Sequence, residues 1–547
     1  MILHRLIFGA AAAAFLALTP SFGAEPTSVT VEAPSGTVGG LSQGTLHVFK
    51  GIPYAQPPVG EARWKPPSPL PHWSGVKQAT EYGPACLQPE AKLANIYSGE
   101  PLPMSEDCLT LNVWAPANAS GAPVFVWIHG GALTTGSSRE PLYDGAKLAA
   151  HGLVVVSINF RLGVLGWLAH PELSKESPQG ISGNYGMLDQ IEALRWVQHN
   201  IAAFGGNPAN VTIAGESSGG LNVMYLMASP VARGLFAKAI AESAYMISTP
   251  ELKAAKYGVP SAEDAGVALG TALHAPTIAA LRAIDARTLA NTASAAKFAP
   301  FGAIDGHLLP RQLVDVFDRG EQAPVPLLAG FNSGEIRSLR MLAAHAPATP
   351  VEYENIIRYR YHEYANGFLR LYPSTAMQES IWAATRDSLY GWTAERLARK
   401  QAMRGIPSYL YYFDHGYPAA DDAGLHAFHA SELPYVFGTM DHTGPQWPKI
   451  PATAQEQRMS DALMEYWSSF ARNGKPQAAG EAEWAAYAPN TAYMAFKDVP
   501  VPSVHLLPGM FEFNEAVVCR RRAANQPWNW NVGMWASDLD MQSNGCP

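Results

Sequence analysis

Short runs of apolar, often β-branched residues alternate with longer amphipathic stretches between residues 123 and 244. The short runs predict buried strands at 124–128, 154–158 and 211–214. Residues 188–197 place apolar side chains at helical spacing, which predicts an amphipathic helix. Strands that alternate with helices form βαβ units, so this region predicts a doubly wound sheet.

The regions on either side of this alternation have different patterns. Residues 24–73 contain short strand-like runs separated by glycine and proline turns, which predicts a mixed N-terminal sheet. Residues 250–298 and 351–404 are alanine-rich or aromatic helical stretches that interrupt the strand pattern and predict a lid. Together the patterns predict an α/β fold with a large, mostly parallel, twisted central sheet, helices on both faces and helical lid insertions.

The first 23 residues have the pattern of a secretory signal peptide. A short basic segment precedes an apolar, alanine-rich stretch at 6–19, and small residues near position 23 suit a cleavage site. This stretch is too short for a spanning helix, and no later segment is long and apolar enough to cross a bilayer. We therefore expect a signal peptide at 1–23, a single domain at 24–547, and a secreted or periplasmic protein without a membrane span.

Composition and charge narrow the classes of partner. Of the 547 residues, 48% are hydrophobic and 15% are charged, which is enough apolar material for a substantial core. The net charge of −8, with no basic run beyond residues 520–522, argues against nucleic acid as a partner.

The four cysteines fit an oxidising compartment and permit three pairings. None of them has C-x-x-C spacing or an accompanying histidine pair, which argues against a metal site.

The pentapeptide Gly215-Glu216-Ser217-Ser218-Gly219 joins the predicted strand at 211–214 to a helix-forming stretch at 221–227. Glycines on either side of Ser217 permit a sharp strand-to-helix turn that would hold the serine hydroxyl at its tip. A glycine-rich loop is the simpler explanation of such a motif. Because both the strand and the helix are present here, the sequence favours a nucleophilic serine.

A second candidate segment follows the strand at 124–128, which runs directly into His129-Gly130-Gly131-Ala132. Consecutive small residues leave backbone N–H groups free to point into a cavity, as the oxyanion loop of a hydrolase requires. On its own this segment is better explained by an ordinary β-turn. Together with the serine elbow it favours an acyl hydrolase.

Further motifs extend over nearly the whole mature chain, at 49–58, 105–112, 204–213, 330–335 and 429–438. With these motifs the chain resembles the type-B carboxylesterases, relatives of the cholinesterases within the α/β-hydrolase fold. The resemblance implies a serine carboxylic-ester hydrolase that acts through an acyl-enzyme on a small-molecule ester and needs no cofactor or metal.

The resemblance also implies residue roles. Ser217 matches the nucleophile, Glu335 the triad acid and His429 the general base, in the chain order expected of this fold. By sequence physics alone, Glu335 would be a solvated loop residue. His426 would be nearly equal to His429, but the downstream family pattern selects His429.

The donors to the oxyanion are expected to be the backbone N–H groups of Gly131, Ala132 and Ser218, with Gly130 in a supporting position. The loop has Gly-Gly-Ala where three glycines are commoner, a form that the resemblance associates with room for bulky, even tertiary, alcohols. Glu216 is expected behind the histidine as a hydrogen-bonding carboxylate.

Two disulfides are expected on the same basis. The resemblance implies a bond between Cys86 and Cys108, which leaves Cys519 and Cys546 to pair near the C-terminus.

Other functions remain open. An amidase, a carbamate hydrolase or a lactonase would use the same residues on a different leaving group. A non-enzymatic adhesion or binding module is also found on this fold, but the intact Ser217, Glu335 and His429 argue against it.

Overall fold

The computed structural model describes residues 27–90, 94–100, 102–540 and 546. The predicted signal peptide at 1–23 lies outside these residues. Fifteen strands occur in the described part of the chain: β1 (Thr27–Ala33), β2 (Gly36–Gln43), β3 (Leu46–Pro53), β4 (Val76–Gln78), β5 (Ala85–Cys86), β6 (Met104–Ser105), β7 (Thr110–Pro116), β8 (Ala122–Ile128), β9 (Val154–Ile158), β10 (Gly206–Glu216), β11 (Lys238–Glu242), β12 (Leu327–Asn332), β13 (Ser408–Phe413), β14 (Ala492–Phe496) and β15 (Pro500–Val504).

The α-helices of the same described residues are α1 (Ala146–Ala150), α2 (Gly163–Trp167), α3 (Pro171–Glu176), α4 (Tyr185–Asn200), α5 (Ser218–Ala228), α6 (Ala262–Ala272), α7 (Ile278–Ala283), α8 (Ala286–Ala295), α9 (Leu313–Asp318), α10 (Glu335–Ser338), α11 (Pro350–Tyr361), α12 (Ala365–Leu371), α13 (Met377–Arg386), α14 (Trp392–Ala402), α15 (Pro418–Asp422), α16 (Leu433–Val436), α17 (Ala454–Asn473) and α18 (Met510–Ala523). Within the described ranges, no helix combines the length and the apolar character needed to cross a membrane.

Most strands form one large sheet in the order β1-β2-β3-β7-β9-β8-β10-β11-β12-β13-β14-β15, and β4 pairs with β2. Neighbouring strands from β9 to β14 run parallel, whereas the pairs at both ends of this order are antiparallel. The sheet is therefore mixed with a parallel centre, as predicted. The three strands predicted between 123 and 244 are found as β8, β9 and a part of β10, which begins before and ends after the predicted run.

Both faces of the central strands are buried, because their side chains alternate between two hydrophobic cores. In β8, Val124, Val126 and Ile128 join the core that contains residues of α4 and α5. Phe125 and Trp127 point to the opposite face and join the core that contains residues of α17. This double burial explains the continuous apolar runs in the sequence, since a strand covered on both sides has no polar face.

The helical region at 351–404 only partly follows its predicted role as a lid. It contains α11 to α14, and α14 packs against β12 and β13. The last helix of the segment thus covers one face of the sheet. A π-helical turn, Asp387–Gly391, joins α13 to α14.

Both expected disulfides are present. Cys86 and Cys108 have Cα atoms 5.0 Å apart and enclose a loop that begins at the end of β5 and contains β6. Cys519, in α18, is bonded to Cys546.

Candidate active site

Ser217 lies at the junction between β10 and α5. Its φ of 58° and ψ of −122° place it in a region that residues with a side chain rarely adopt. Every residue from 211 to 229 is buried except Ser217, which is partly exposed. Although it occupies the N-cap position of α5, its side chain makes no capping hydrogen bond. The hydroxyl is therefore presented outward by a strained turn and is not used to stabilise the helix.

The glycines of this turn are required by close backbone contacts. A Cβ on Gly219 would lie 2.1 Å from the carbonyl oxygen of Ile128, and a Cβ on Gly215 would lie 2.6 Å from backbone atoms of Gly219. These contacts bring the start of α5 against the end of β8. The elbow and the loop after β8 consequently meet at the same edge of the sheet.

Glu335 begins α10, three residues after the end of β12, and is fully buried. Its Oε1 accepts hydrogen bonds from Ser243 Oγ at 2.6 Å and from the backbone N–H of Asn332 at 2.8 Å. Its Oε2 forms a short contact with Nδ1 of His429. Both carboxylate oxygens are therefore held, and one of them is directed at the imidazole.

His429 is 5% exposed and lies in the loop between α15 and α16, here called the histidine loop. This loop is bound through the backbone to the segment from the end of β12 through α10, which carries Glu335 and is here called the acid loop. The N–H of Gly334 donates to the carbonyl of Ala427 at 2.8 Å. The ring of Tyr390, from the π-helical turn, lies over the imidazole with 5.3 Å between centroids and an interplanar angle of 39°. His426 instead contacts Asp421 at 2.7 Å and Asp414 at 3.3 Å. Of the two candidate histidines, His429 is thus the one that contacts Glu335.

Glu216 lies on the other side of the imidazole. Its Oε1 is 3.0 Å from Nε2 of His429, and its side chain is buried. Burial lowers the pKa of His429, but the charges of Glu216 and Glu335 outweigh it and hold this pKa well above the usual range. The imidazole is therefore placed where its protonated form is stabilised.

The structure brings Glu335, His429 and Glu216 together, but it does not show the expected hydrogen bond between Ser217 and His429. Within the described residues, the side chain of Ser217 has no hydrogen-bond partner, and the neighbouring group at Nε2 is Glu216. Because Glu216 precedes Ser217 directly, Nε2 nevertheless lies at the elbow.

The loop after β8 lies beside the elbow. A Cβ on Gly130 would be 3.3 Å from Cβ of Ser217. The N–H of Leu133 donates to Ser218 Oγ at 3.1 Å, which ties the loop to the start of α5. Gly131 has a φ of 106° and Ala132 a φ of 55°. In the described structure their N–H groups have no acceptor, and Ala132 is exposed, so donors are available where an oxyanion could bind.

Further buried carboxylates surround this site, and sequence reasoning missed them. Glu242 accepts a hydrogen bond from Nε1 of Trp467 at 3.1 Å, and Glu432 accepts one from Nδ2 of Asn332. Burial raises the pKa of Glu242 to about 8 and raises that of Glu432 well above its usual range. A sequence signal did exist, since each of these acids stands within or beside an apolar run.

Two tyrosines at the histidine were also missed. Tyr390 is brought there by the π-helical turn, a feature often found at functional sites. Tyr97 comes from the loop closed by Cys86 and Cys108 and contacts the histidine loop. Neither has a local sequence signal, because both contacts join segments far apart in the chain.

Comparison with known proteins gives a consistent result. A family model described as "Carboxylesterase family" matches residues 26–506. Fumonisin B1 esterase of Sphingopyxis macrogoltabida is 35% identical over 483 residues, covering 84% of this chain and 85% of that protein. Para-nitrobenzyl esterase of Bacillus subtilis is 36% identical over 469 residues, covering 84% of this chain and 93% of that protein. The solved structure of a PNB esterase has a TM-score of 0.77 at 32% identity and covers 89% of this chain and 99% of its own.

Proposed function

Because the chain belongs to the carboxylesterase family and is a carboxylic ester hydrolase, we propose that Ser217 is its nucleophile, His429 its general base and Glu335 the acid that orients the histidine. The observation that carries this proposal is the buried contact between Glu335 and Nδ1 of His429. This contact leaves Nε2 directed to the elbow, where the hydroxyl of Ser217 makes no hydrogen bond to any described residue.

In the proposed reaction, Ser217 Oγ attacks the ester carbonyl carbon while Nε2 of His429 accepts the hydroxyl proton. The carbonyl oxygen becomes an oxyanion, which the N–H groups of Gly131, Ala132 and Ser218 stabilise. The C–O bond to the alcohol then breaks, and the alcohol leaves with the proton from His429. Water attacks the acyl-enzyme by the same route and releases the acid and Ser217. Every step uses protein groups and water.

Proton transfer requires Ser217 Oγ to come within hydrogen-bond distance of Nε2. Catalytic hydrogen bonds of this kind commonly tighten only when substrate binds. Glu216, at 3.0 Å from the same nitrogen, is proposed to stabilise the imidazolium without contacting the ester. Its role is therefore electrostatic.

The proposed substrates are small carboxylic esters. The names of fumonisin B1 esterase and para-nitrobenzyl esterase describe those proteins' own substrates, and the shared chemistry is an ester of a small molecule. Comparing hydrolysis of p-nitrophenyl butyrate with that of the corresponding anilide distinguishes an esterase from an amidase. We expect the ester to be hydrolysed much faster.

The central test is covalent labelling with a fluorophosphonate. We expect the wild type to be labelled at Ser217 and to lose activity in proportion, whereas Ser217→Ala is neither labelled nor active, with a loss in kcat of several orders of magnitude. Ser431→Ala is a matched control, because Ser431 lies two residues from His429 and its hydroxyl, like that of Ser217, has no hydrogen-bond partner among the described residues. Labelling of Ser217→Ala, or full activity in it, would overturn the proposal.

We also propose that the protein is exported and that residues 1–23 are removed. The apolar N-terminal pattern and the two disulfides support this location. Mass spectrometry of the exported protein should find Ala24 as the first residue. An intact N-terminus on the exported form would contradict cleavage.

A further inference from the structure

We propose that Tyr97 is a positioning residue for the general base, because its one phenol group joins the histidine loop to the acid loop. This inference rests on the roles proposed for His429 and Glu335. Tyr97 itself is not expected to touch the reacting atoms. Its role would be to keep the imidazole of His429 in contact with the carboxylate of Glu335.

The phenol makes two polar contacts that bridge the loops. Its O–H donates to the backbone carbonyl of His429 at 3.1 Å, and its oxygen lies 2.7 Å from Ser338 Oγ. Ser338 ends the short helix that Glu335 begins, and its Oγ lies 3.4 Å from the carbonyl oxygen of Glu335. A continuous path of polar groups thus joins the backbone carbonyl of Glu335 to the backbone carbonyl of His429, separately from the contact between their side chains.

The ring of Tyr97 supports the same region by packing. It meets the imidazole of His429 edge-on, with 6.4 Å between centroids, and meets the ring of Trp447 edge-on at 6.2 Å. Trp447 packs in turn on Phe428, the residue before His429, at 4.8 Å. The histidine loop is therefore supported through its side chains as well as through its backbone.

Tyr97 is itself held in place. Its N–H donates to Oδ1 of Asn95 at 2.9 Å, and the N–H of Asn95 donates to Ser98 Oγ at 2.9 Å. A Cβ on Gly444 would lie 2.8 Å from the carbonyl oxygen of Ser98, so this short segment is packed closely against the body of the protein. The segment belongs to the loop that the bond between Cys86 and Cys108 closes. The phenol of Tyr97 is therefore held in one position relative to the body of the protein, and it can hold the histidine loop in turn.

The alternative is that the ring only lines the substrate pocket, since 38% of Tyr97 is exposed. The two roles depend on different atoms. A lining role needs the ring, which phenylalanine retains, whereas the positioning role needs the hydroxyl, which phenylalanine lacks. Tyr97→Phe therefore separates them without removing the bulk of the side chain.

The experiment measures kcat, KM and the pH dependence of kcat/KM for Tyr97→Phe, Ser338→Ala and the double variant, with p-nitrophenyl butyrate as substrate. For Tyr97→Phe we expect kcat to fall about ten-fold while KM stays within about two-fold of the wild type. A histidine less firmly held against Glu335 is a weaker base, so the acidic limb of the profile should move to lower pH. The double variant should be no worse than Tyr97→Phe, because both changes break one path.

Tyr359→Phe serves as the control, because Tyr359 is 60% exposed and lies outside the site. A Tyr97→Phe variant with wild-type kcat and an unmoved acidic limb would overturn the inference. So would a rise in KM at unchanged kcat, which would make the phenol a substrate contact. Fluorophosphonate labelling distinguishes a failure of the role proposed for Tyr97 from a failure of the function proposed for Ser217. If the wild type is not labelled at Ser217, the proposed function fails. If wild type and Tyr97→Phe are labelled at equal rates, only the role of Tyr97 fails.

Discussion

Glu216 places Oε1 3.0 Å from Nε2 of His429, on the side of the imidazole opposite to Glu335. The imidazole thus lies between two buried carboxylates. Because Glu216 is also the residue before Ser217, the backbone of the elbow carries both the proposed nucleophile and a charge that acts on its base. The pH dependence of the enzyme should therefore depend on a residue that does not take part in the bond changes.

Glu216→Gln should move the acidic limb of kcat/KM to lower pH. The negative charge of Glu216 raises the pKa of His429, so its removal lowers that pKa, and the imidazole stays neutral at more acidic pH. A pH series with p-nitrophenyl butyrate measures the shift, and Glu81→Gln is the control because Glu81 is exposed. A limb that stays in place or moves to higher pH would contradict this electrostatic role.

Ser243→Ala should lower kcat about ten-fold, because Ser243 Oγ donates to Oε1 of Glu335 at 2.6 Å. After the change, the N–H of Asn332 is the remaining donor to that oxygen. Ser248→Ala is the matched control, since Ser248 is buried and its hydroxyl makes no hydrogen bond within the described part of the chain. Steady-state kinetics of the two variants should differ in kcat. Equal values would show that the hydrogen bond to Glu335 does not matter for the rate.

Gly131→Ala should reduce kcat by roughly a hundred-fold or more, the usual effect of losing a donor to an oxyanion. The new Cβ would lie 2.2 Å from the carbonyl oxygen of Thr135, and the φ of 106° is strained for alanine, so the loop must shift. Ala132→Gly is the contrasting variant. Its φ of 55° suits glycine, and its backbone donor is kept, so its kcat should stay near that of the wild type. Unchanged kcat in Gly131→Ala would exclude this loop as the oxyanion site.

Glu242→Gln should gain stability relative to the wild type as pH rises from 5 to 8. Burial raises the pKa of Glu242 to about 8 in the folded protein, against about 4.3 when unfolded. Between these values the folded state retains a proton that the unfolded state has released, so the wild type loses stability with rising pH, by at most about 1.4 kcal/mol per unit. Glutamine cannot ionise and can still accept from Trp467.

Thermal unfolding at pH 5, 6.5 and 8 measures this effect. The difference in Tm between Glu242→Gln and the wild type should increase along the series, while that of the exposed control Glu81→Gln should stay constant. A constant difference for Glu242→Gln would mean that Glu242 is ionised in the folded protein throughout.

Hydrolysis of tert-butyl acetate should be detectable beside that of ethyl acetate. The resemblance seen in the sequence associates the Gly130-Gly131-Ala132 form with room for bulky alcohols, and Ala132, whose N–H is a proposed oxyanion donor, is exposed. Gas chromatography of released tert-butanol measures the activity, with Ser217→Ala as the blank. No turnover of the hindered ester at high enzyme concentration would reject the expectation.

Much of the fold follows from local patterns that the sequence displays directly. Apolar runs at 124–128, 154–158 and 211–214 predicted strands that the structure contains as β8, β9 and part of the longer β10. The glycines at 215 and 219 predicted a turn that only glycine permits, and the close contacts at both positions give the reason. The apolar runs and the paired glycines are visible along the chain itself, although the contact that requires glycine at position 219 is with the distant Ile128.

The contacts around the imidazole were decided by the tertiary structure. Glu335 and His429 are 94 residues apart, and Tyr97 and His429 are 332 apart, so no periodicity along the chain relates them. The sequence alone left His426 and His429 nearly equal and Glu335 an ordinary loop acid. It did not indicate that Tyr97 contacts the loop of His429, or that Trp467 is the hydrogen-bond partner of Glu242. A side chain's partners and its pKa depend on which distant segments pack around it. That arrangement exists only once the sheet has brought the ends of its strands together.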